Sequence, residues 1–309
     1  MIKYDKNKIK AIIVGANSYI ARNMIKVLKN NEAVELVAAY DRQGHHNDDI
    51  KTYRQIDILD MESLKTADLK ADHIFFFTGK TGTEAGFDQY DSFIDINEKG
   101  LLNLLTVYRE QQSRAKIIFP STRLVYKGKP GPQKEDSEKE FKTLYAVNKF
   151  ACEQYLKMYA AVYGVKYCIF RICVPYGTLV RGASSYGTAE FMLERARKGE
   201  NITLFGDGSI RRTLTYIEDL CKIMISGAMS PNCENDVFNI GGEDYSLRDM
   251  ADLIAEKYNA QVEYVKWPET ALKIESGDTV FESGKLDSII EYNRSMTFEK
   301  WLQNERGGN

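Results

Sequence analysis

Lys10-Ala11-Ile12-Ile13-Val14-Gly15-Ala16-Asn17-Ser18-Tyr19-Ile20-Ala21 settles the architecture of this chain. Its first half is an uninterrupted apolar run, which predicts a strand buried on both faces. The run ends at Gly15, and from Asn17 to Lys29 the apolar residues Ile20, Met24, Ile25 and Leu28 recur at helical spacing. A glycine between such a strand and such a helix lets the backbone approach a pyrophosphate at the positive helix N-terminus.

The alternation continues outward. Residues 35–40 read as a second strand ending on Asp41, 26 residues past Gly15. A carboxylate there can accept hydrogen bonds from the adenosine ribose hydroxyls and repels the 2′-phosphate of NADP. NAD is therefore the expected cofactor, with NADP as the alternative because Arg42 follows directly. Strand patterns recur at 73–77, 116–119 and 166–173, and helix patterns at 98–109 and 143–163, with a charged Pro/Gly loop at 127–142. Repeated βα units predict an α/β fold, a doubly wound parallel sheet with right-handed crossovers. Beyond Gly177 the alternation loosens. We expect residues 1–176, with a returning segment at about 214–240, to form a Rossmann domain, and 177–213 and 241–309 a smaller α+β substrate-binding lobe.

The chain has 309 residues, 43% hydrophobic and 28% charged, with a net charge of −2. That balance gives no electrostatic basis for binding nucleic acid or an anionic membrane, and no apolar stretch reaches the roughly 18 residues of a membrane span. Residues 1–10 carry four lysines and no apolar run of a secretory signal. Cys152, Cys168, Cys173, Cys221 and Cys233 lack CxxC spacing and read as free buried thiols of a cytoplasmic protein. His45-His46 sits in a polar loop without a third ligand nearby, so no metal site is expected.

Tyr145 and Lys149 lie four residues apart, one face of a helix. A nearby ammonium favours phenolate, making a tyrosine a base for a sugar or steroid hydroxyl during hydride transfer. Alone the spacing is weak: with 19 tyrosines chance matches occur, and Tyr4…Lys8 is one. Its place downstream of the glycine turn gives it weight.

Further motifs fall in a fixed order. Asp57-Ile58, Asn97-Glu98-Lys99-Gly100-Leu101-Leu102-Asn103, and Pro120-Ser121-Thr122-Arg123-Leu124-Val125-Tyr126 precede Tyr145, which stands 23 residues after Thr122. Leu204-Phe205-Gly206-Asp207-Gly208-Ser209-Ile210-Arg211-Arg212, Thr215-Tyr216-Ile217-Glu218-Asp219-Leu220 and Phe238-Asn239-Ile240-Gly241-Gly242 follow it. In this order the chain resembles the extended short-chain dehydrogenase/reductases, specifically the NAD-dependent nucleotide-sugar epimerase/dehydratase group. Gly15, Ser18 and Ala21 fall on that family's GxxGxxG, Asn97 and Gly100 on its VNxxGTxNLL, Thr122 on its SSxxVYG, and Tyr145 and Lys149 on its YxxxK.

The resemblance implies roles. Tyr145 would be the catalytic base, Thr122 would bond the reacting oxygen, and Lys149 would bind the nicotinamide ribose. Gly15, Asn17, Ser18, Tyr19, Ile20, Asp41, Arg42, Asp57, Ile58, Thr78, Gly79 and Lys80 would line the cofactor site. Val174, Phe205 and Arg212 would face the substrate, with Arg212 on its diphosphate. The chain departs from the family at Ser18 and Ala21, which replace glycines, and at Val174, where relatives carry a substrate-contacting Asn. Arg123-Leu124 stands where 4,6-dehydratases have an Asp-Glu pair, so elimination of water is not expected. The expected function is a nucleotide-sugar 4-epimerase working as a homodimer through a four-helix bundle. A 4-keto-6-deoxy-sugar reductase and a non-catalytic dinucleotide sensor are the alternatives.

Overall fold

The computed structural model describes residues 8–44, 50, 52–183, 185 and 187–305. His45-His46 and the first seven residues lie outside them. The strands are β1 Ile9–Val14, β2 Val34–Asp41, β3 Tyr53–Gln55, β4 His73–Phe76, β5 Lys116–Thr122, β6 Pro132–Gln133 and β7 Tyr167–Ile172. They continue with β8 Val174–Tyr176, β9 Ile202–Phe205, β10 Arg211–Tyr216, β11 Asp236–Asn239, β12 Glu243–Ser246, β13 Val262–Val265 and β14 Val280–Phe281.

Seven of them form one sheet in the order β11-β7-β5-β4-β1-β2-β3, every pair parallel. This is the doubly wound sheet that the alternation predicts. Neighbouring residues on its strands serve two separate cores. Ile12, Val14, Ile74, Phe76, Ile117, Phe119 and Ile169 pack on one face with Leu101, Leu104, Leu105, Cys152 and Leu156. Ala11, Ile13, Phe75, Ile118, Cys168 and Phe170 pack on the other with Met24, Ile25, Leu28 and the helix Ile217–Met229. A strand that feeds both layers has no polar face, hence the unbroken apolar runs. Among the described residues no helix is long and apolar enough to cross a membrane.

Two elements differ from expectation. β5 runs on past Phe119, because Pro120, Ser121 and Thr122 stay in register with Phe170, Arg171 and Ile172 of β7; a proline in a central strand hides this from a propensity reading. The helix expected from Glu98 begins earlier, at Tyr90, and passes through a π-turn at Asp95–Lys99 before Gly100–Glu110. The helix Leu144–Tyr163 follows its capping signals: the Thr143 hydroxyl accepts from the Ala146 amide, and Gly164 closes it with φ +68°.

One buried ion pair ties that helix to the sheet. Arg171 on β7 donates to Glu153 through Nε (3.0 Å) and Nη2 (2.7 Å), with neither side chain reaching solvent. Arg171 Nη1 donates to the Tyr126 hydroxyl (2.7 Å), which donates to Asn239 Oδ1 on β11 (2.7 Å), and Ser121 Oγ donates to Glu153 Oε1 (2.5 Å). Removing one partner of a buried pair leaves an uncompensated charge, at a cost of about 3–5 kcal/mol. Glu153→Ala should lose about that much stability in urea unfolding, while Glu138→Ala, at an exposed pair with Lys127, should leave the midpoint where it is.

Candidate active site

The ends of β1 and β4 make the cleft. Gly15 has φ +87°, and a Cβ on it would lie 2.4 Å from the Thr78 amide nitrogen, so only glycine passes here. Ser18 caps the following helix without a side-chain hydrogen bond, and its Oγ is buried with no partner among the described residues. The amides of Tyr19 and Ile20 open that helix, where N–H groups lack intrahelical acceptors. A side-chain-free crossing, an orphaned hydroxyl and unspent amides at a helix N-terminus fit a dinucleotide pyrophosphate.

The cleft, about 180 Å3, brings together Gly15, Ser18, Asp41, Arg42, Asp57, Ile58, Thr78 and Gly79 of the sequence-predicted cofactor residues. The others stand around it. The Asn17 amide donates to Asp41 Oδ2 (2.9 Å), and the Asn17 side chain donates to the Gly44 carbonyl (3.2 Å), pinning the glycine turn to the end of β2. The Tyr19 hydroxyl donates to the Gly177 carbonyl (2.6 Å) inside the core, so this residue offers the cleft its backbone only. The Lys80 ammonium is held by Gln89 Oε1 (2.6 Å) and Ser92 Oγ (2.7 Å). Asn97, projecting from the π-turn, accepts from the Lys80 amide (2.7 Å) and donates to its carbonyl (3.0 Å). It thereby fixes the turn Thr78–Lys80, a job that no sequence spacing announces.

Tyr145 lies in the first turn of Leu144–Tyr163 and Lys149 one turn on. Lys149 Nζ donates to the Pro120 carbonyl (2.8 Å) and sits 4.5 Å above the Phe119 ring and 5.9 Å from the centre of the Tyr145 ring. A Cβ on Gly79 would be 3.7 Å from Nζ, so the lysine borders the cofactor turn. Thr122 ends β5, buried, its Oγ1 accepting from the Leu124 amide (3.3 Å). Its hydroxyl proton remains for another acceptor.

The electrostatics differ from expectation. Burial pushes the Tyr145 phenol up, and burial pulls the Lys149 ammonium down to about 8. Desolvation penalises both charged forms and is the largest influence on each.

The predicted substrate residues are dispersed. Val174 is packed in the core of β8 beside Leu214 and offers no hydrogen bond. Phe205 is half-exposed at the end of β9, with its ring 5.2 Å from that of Trp267. Arg211 and Arg212 point to opposite faces of β10. Arg211 pairs with Asp244 at the surface (3.0 Å), whereas Arg212, 1% exposed, donates to Glu275 Oε1 (2.6 Å) and to the carbonyls of Gly277 (2.5 Å) and Arg211 (2.9 Å).

Residues 11–241 match the NAD dependent epimerase/dehydratase family, and the chain belongs to it. A Methanocaldococcus jannaschii protein that bears the name "Putative UDP-glucose 4-epimerase" is 29% identical over 163 residues, 52% of this chain and 52% of its own, so that match spans about half of either protein. The CDP-paratose 2-epimerase of Salmonella typhi is 24% identical over 260 residues, 75% of this chain and 76% of that one. The crystal structure of Thermus thermophilus UDP-glucose 4-epimerase in complex with NAD superimposes with a TM-score of 0.82 at 22% identity, covering 95% of this chain and 96% of that one. It is a likeness of fold.

Asp41 borders the cleft at the end of β2. A carboxylate beside a 2′-phosphate in a partly dehydrated site is repelled by about 1–4 kcal/mol, so NAD should bind about tenfold tighter than NADP or more in calorimetric titrations. Asp41→Ala should narrow the difference, and tighter NADP binding by the unmodified protein would transfer the choice to Arg42.

Proposed function

We propose that this protein is an NAD-dependent epimerase of a nucleotide-diphosphate sugar, working by transient oxidation at C4. The observation that carries the reading is Lys149 Nζ, 5.9 Å from the centre of the Tyr145 ring, bonded to the Pro120 carbonyl two residues before Thr122 and bordering the cofactor turn at Gly79. NAD, when bound, supplies the hydride acceptor and returns the hydride. Tyr145 takes the proton of the C4 hydroxyl and gives it back, and the Thr122 hydroxyl bonds the same oxygen. Lys149 holds the nicotinamide ribose. Its Pro120 and Phe119 contacts fix the ammonium near the phenol, where a positive charge favours the ionised form. Inversion at C4 would follow from the oxidised sugar turning over in the pocket before its reduction. Phe205 with Trp267 offers an aromatic surface for the base, and Arg212 a guanidinium for the diphosphate.

In this reading residues 1–176 and 214–240 hold the cofactor, supported by the pairing of β11 with β7, and 177–213 and 241–309 hold the sugar nucleotide. The helix Leu144–Tyr163 leaves Val147, Met158, Val162 and Tyr163 exposed. Such an apolar stripe supports a homodimer packed through it.

Tyr145→Phe keeps the ring and removes only the ionisable hydroxyl, so turnover of a confirmed sugar nucleotide should fall by about 10² or more with NAD affinity retained. Lys149→Met should lower both. Turnover without added NADH separates the epimerase from a reductase, and full activity in Tyr145→Phe would refute the proton transfer. Arg212→Ala should weaken binding of a nucleoside diphosphate about 10- to 100-fold and leave NAD untouched, with Arg211→Ala, on the opposite face, as the control.

A further inference from the structure

The guanidinium of Arg212 already has an anion. Glu275, at the C-terminal cap of the short helix Glu269–Ile274, accepts from Nη2 at 2.6 Å. The arginine side chain is 1% exposed and that of the glutamate 20%, so the carboxylate lies toward solvent from the group it neutralises. Arg212 Nε is buried with no hydrogen-bond partner among the described residues, leaving part of the fork unspent.

A second guanidinium converges on the same strap. Arg123, the residue after Thr122, donates through Nη1 to Ser276 Oγ (2.8 Å) and Thr279 Oγ1 (3.4 Å), and no carboxylate pairs with it among the described residues. Two arginines thus share one acid, and the cluster carries an excess positive charge. The backbone of the strap is fixed. Lys142 Nζ donates to the Glu275 carbonyl (2.9 Å), the Asp278 carboxylate accepts from the Arg211 amide (2.8 Å), and a Cβ on Gly128 would fall 1.7 Å from the Ser276 carbonyl oxygen. At the rim the Glu275 carboxylate also accepts from the Gly277 amide (2.9 Å) and from Ser276 Oγ (3.4 Å), both on the same strap, so a ligand that displaces it from Arg212 also takes it from those two donors.

We propose that Glu275 is a built-in competitor at this anion site: its carboxylate occupies the Arg212 fork until the diphosphate of the substrate displaces it, and so sets the affinity for that diphosphate. The inference rests on the nucleotide-sugar reading above. Exchange of one anion for another keeps the buried guanidinium paired throughout, which avoids the penalty of an uncompensated buried charge. It also places a penalty on weakly charged ligands, which cannot repay removal of the carboxylate.

The test is calorimetric titration of the NAD-loaded protein, of Glu275→Gln and of Glu275→Ala with UDP, dTDP, CDP, GDP and the corresponding nucleosides. Loss of a charge-assisted competitor predicts diphosphate binding about tenfold tighter or more in both variants, with nucleoside binding unchanged. A purely structural role would move nucleoside and diphosphate together. If the unmodified protein binds a diphosphate and neither variant binds it more tightly, or if both variants lose NAD binding as well, Glu275 is a prop for Arg212 and the proposal is wrong. If the unmodified protein and both variants bind NAD but none of the diphosphates, the nucleotide-sugar reading itself fails and takes this inference with it.

Discussion

The passage of the Gly15 backbone against Thr78 is the constraint on which the rest hangs. The Gly15 and Ala16 amides both reach the Tyr40 carbonyl (2.8 and 3.0 Å), and the Phe77 amide reaches the Val14 carbonyl (2.7 Å), so the ends of three strands are drawn to one place. Sheet order reverses at β1, which leaves the crossovers no way to cover that place. A methyl group on residue 15 would push β1 and β4 apart and remove the cleft with them. Everything assigned to the cofactor hangs from this crossing: Ser18 and the helix amides on one side, Asp41 on the second, Thr78 and Gly79 on the third.

From there the site is organised by how little water it admits. Burial raises the Tyr145 phenol and lowers the Lys149 ammonium to about 8, so at neutral pH the phenol is un-ionised while the lysine keeps its proton. A buried pair of this kind responds strongly to a charge introduced nearby, since the low local dielectric amplifies it. The deeper ion pair behind it, Arg171 with Glu153, works in the opposite way: it is fully satisfied and static, and it fixes where the helix stands relative to β5 and β7.

Legibility from sequence follows the range of the interaction. The sheet was readable because burial on both faces leaves an unbroken apolar mark in every central strand. The glycine turn was readable because only glycine passes so close to Thr78, whereas Thr122 drew attention only through the order of family motifs around it. The extension of β5 through Pro120 was not, since propensity argues against it and only pairing with β7 overrides that. The contacts of Asn97 with Lys80 and of Glu275 with Arg212 join residues 17 and 63 positions apart, and nothing in a single sequence couples such positions. The protonation of Tyr145 was misjudged for a related reason. Spacing reports that a lysine is close, whereas the balance depends on desolvation by residues from other strands.

The end of β5 places two hydroxyls side by side in the chain with unrelated duties. Ser121 faces back to Glu153, while Thr122 is the hydroxyl that we propose bonds the reacting oxygen. Because successive strand residues point opposite ways, a shift of one residue would exchange them, sending the reactive hydroxyl into the ion-pair network and the structural one into the site. Point substitutions leave this arrangement intact, but a single-codon deletion or insertion between Lys116 and Thr122 does not. In a lineage of such proteins, length in this segment should therefore be under stronger purifying selection than composition, and substrate preference should drift through residues of the lobe instead.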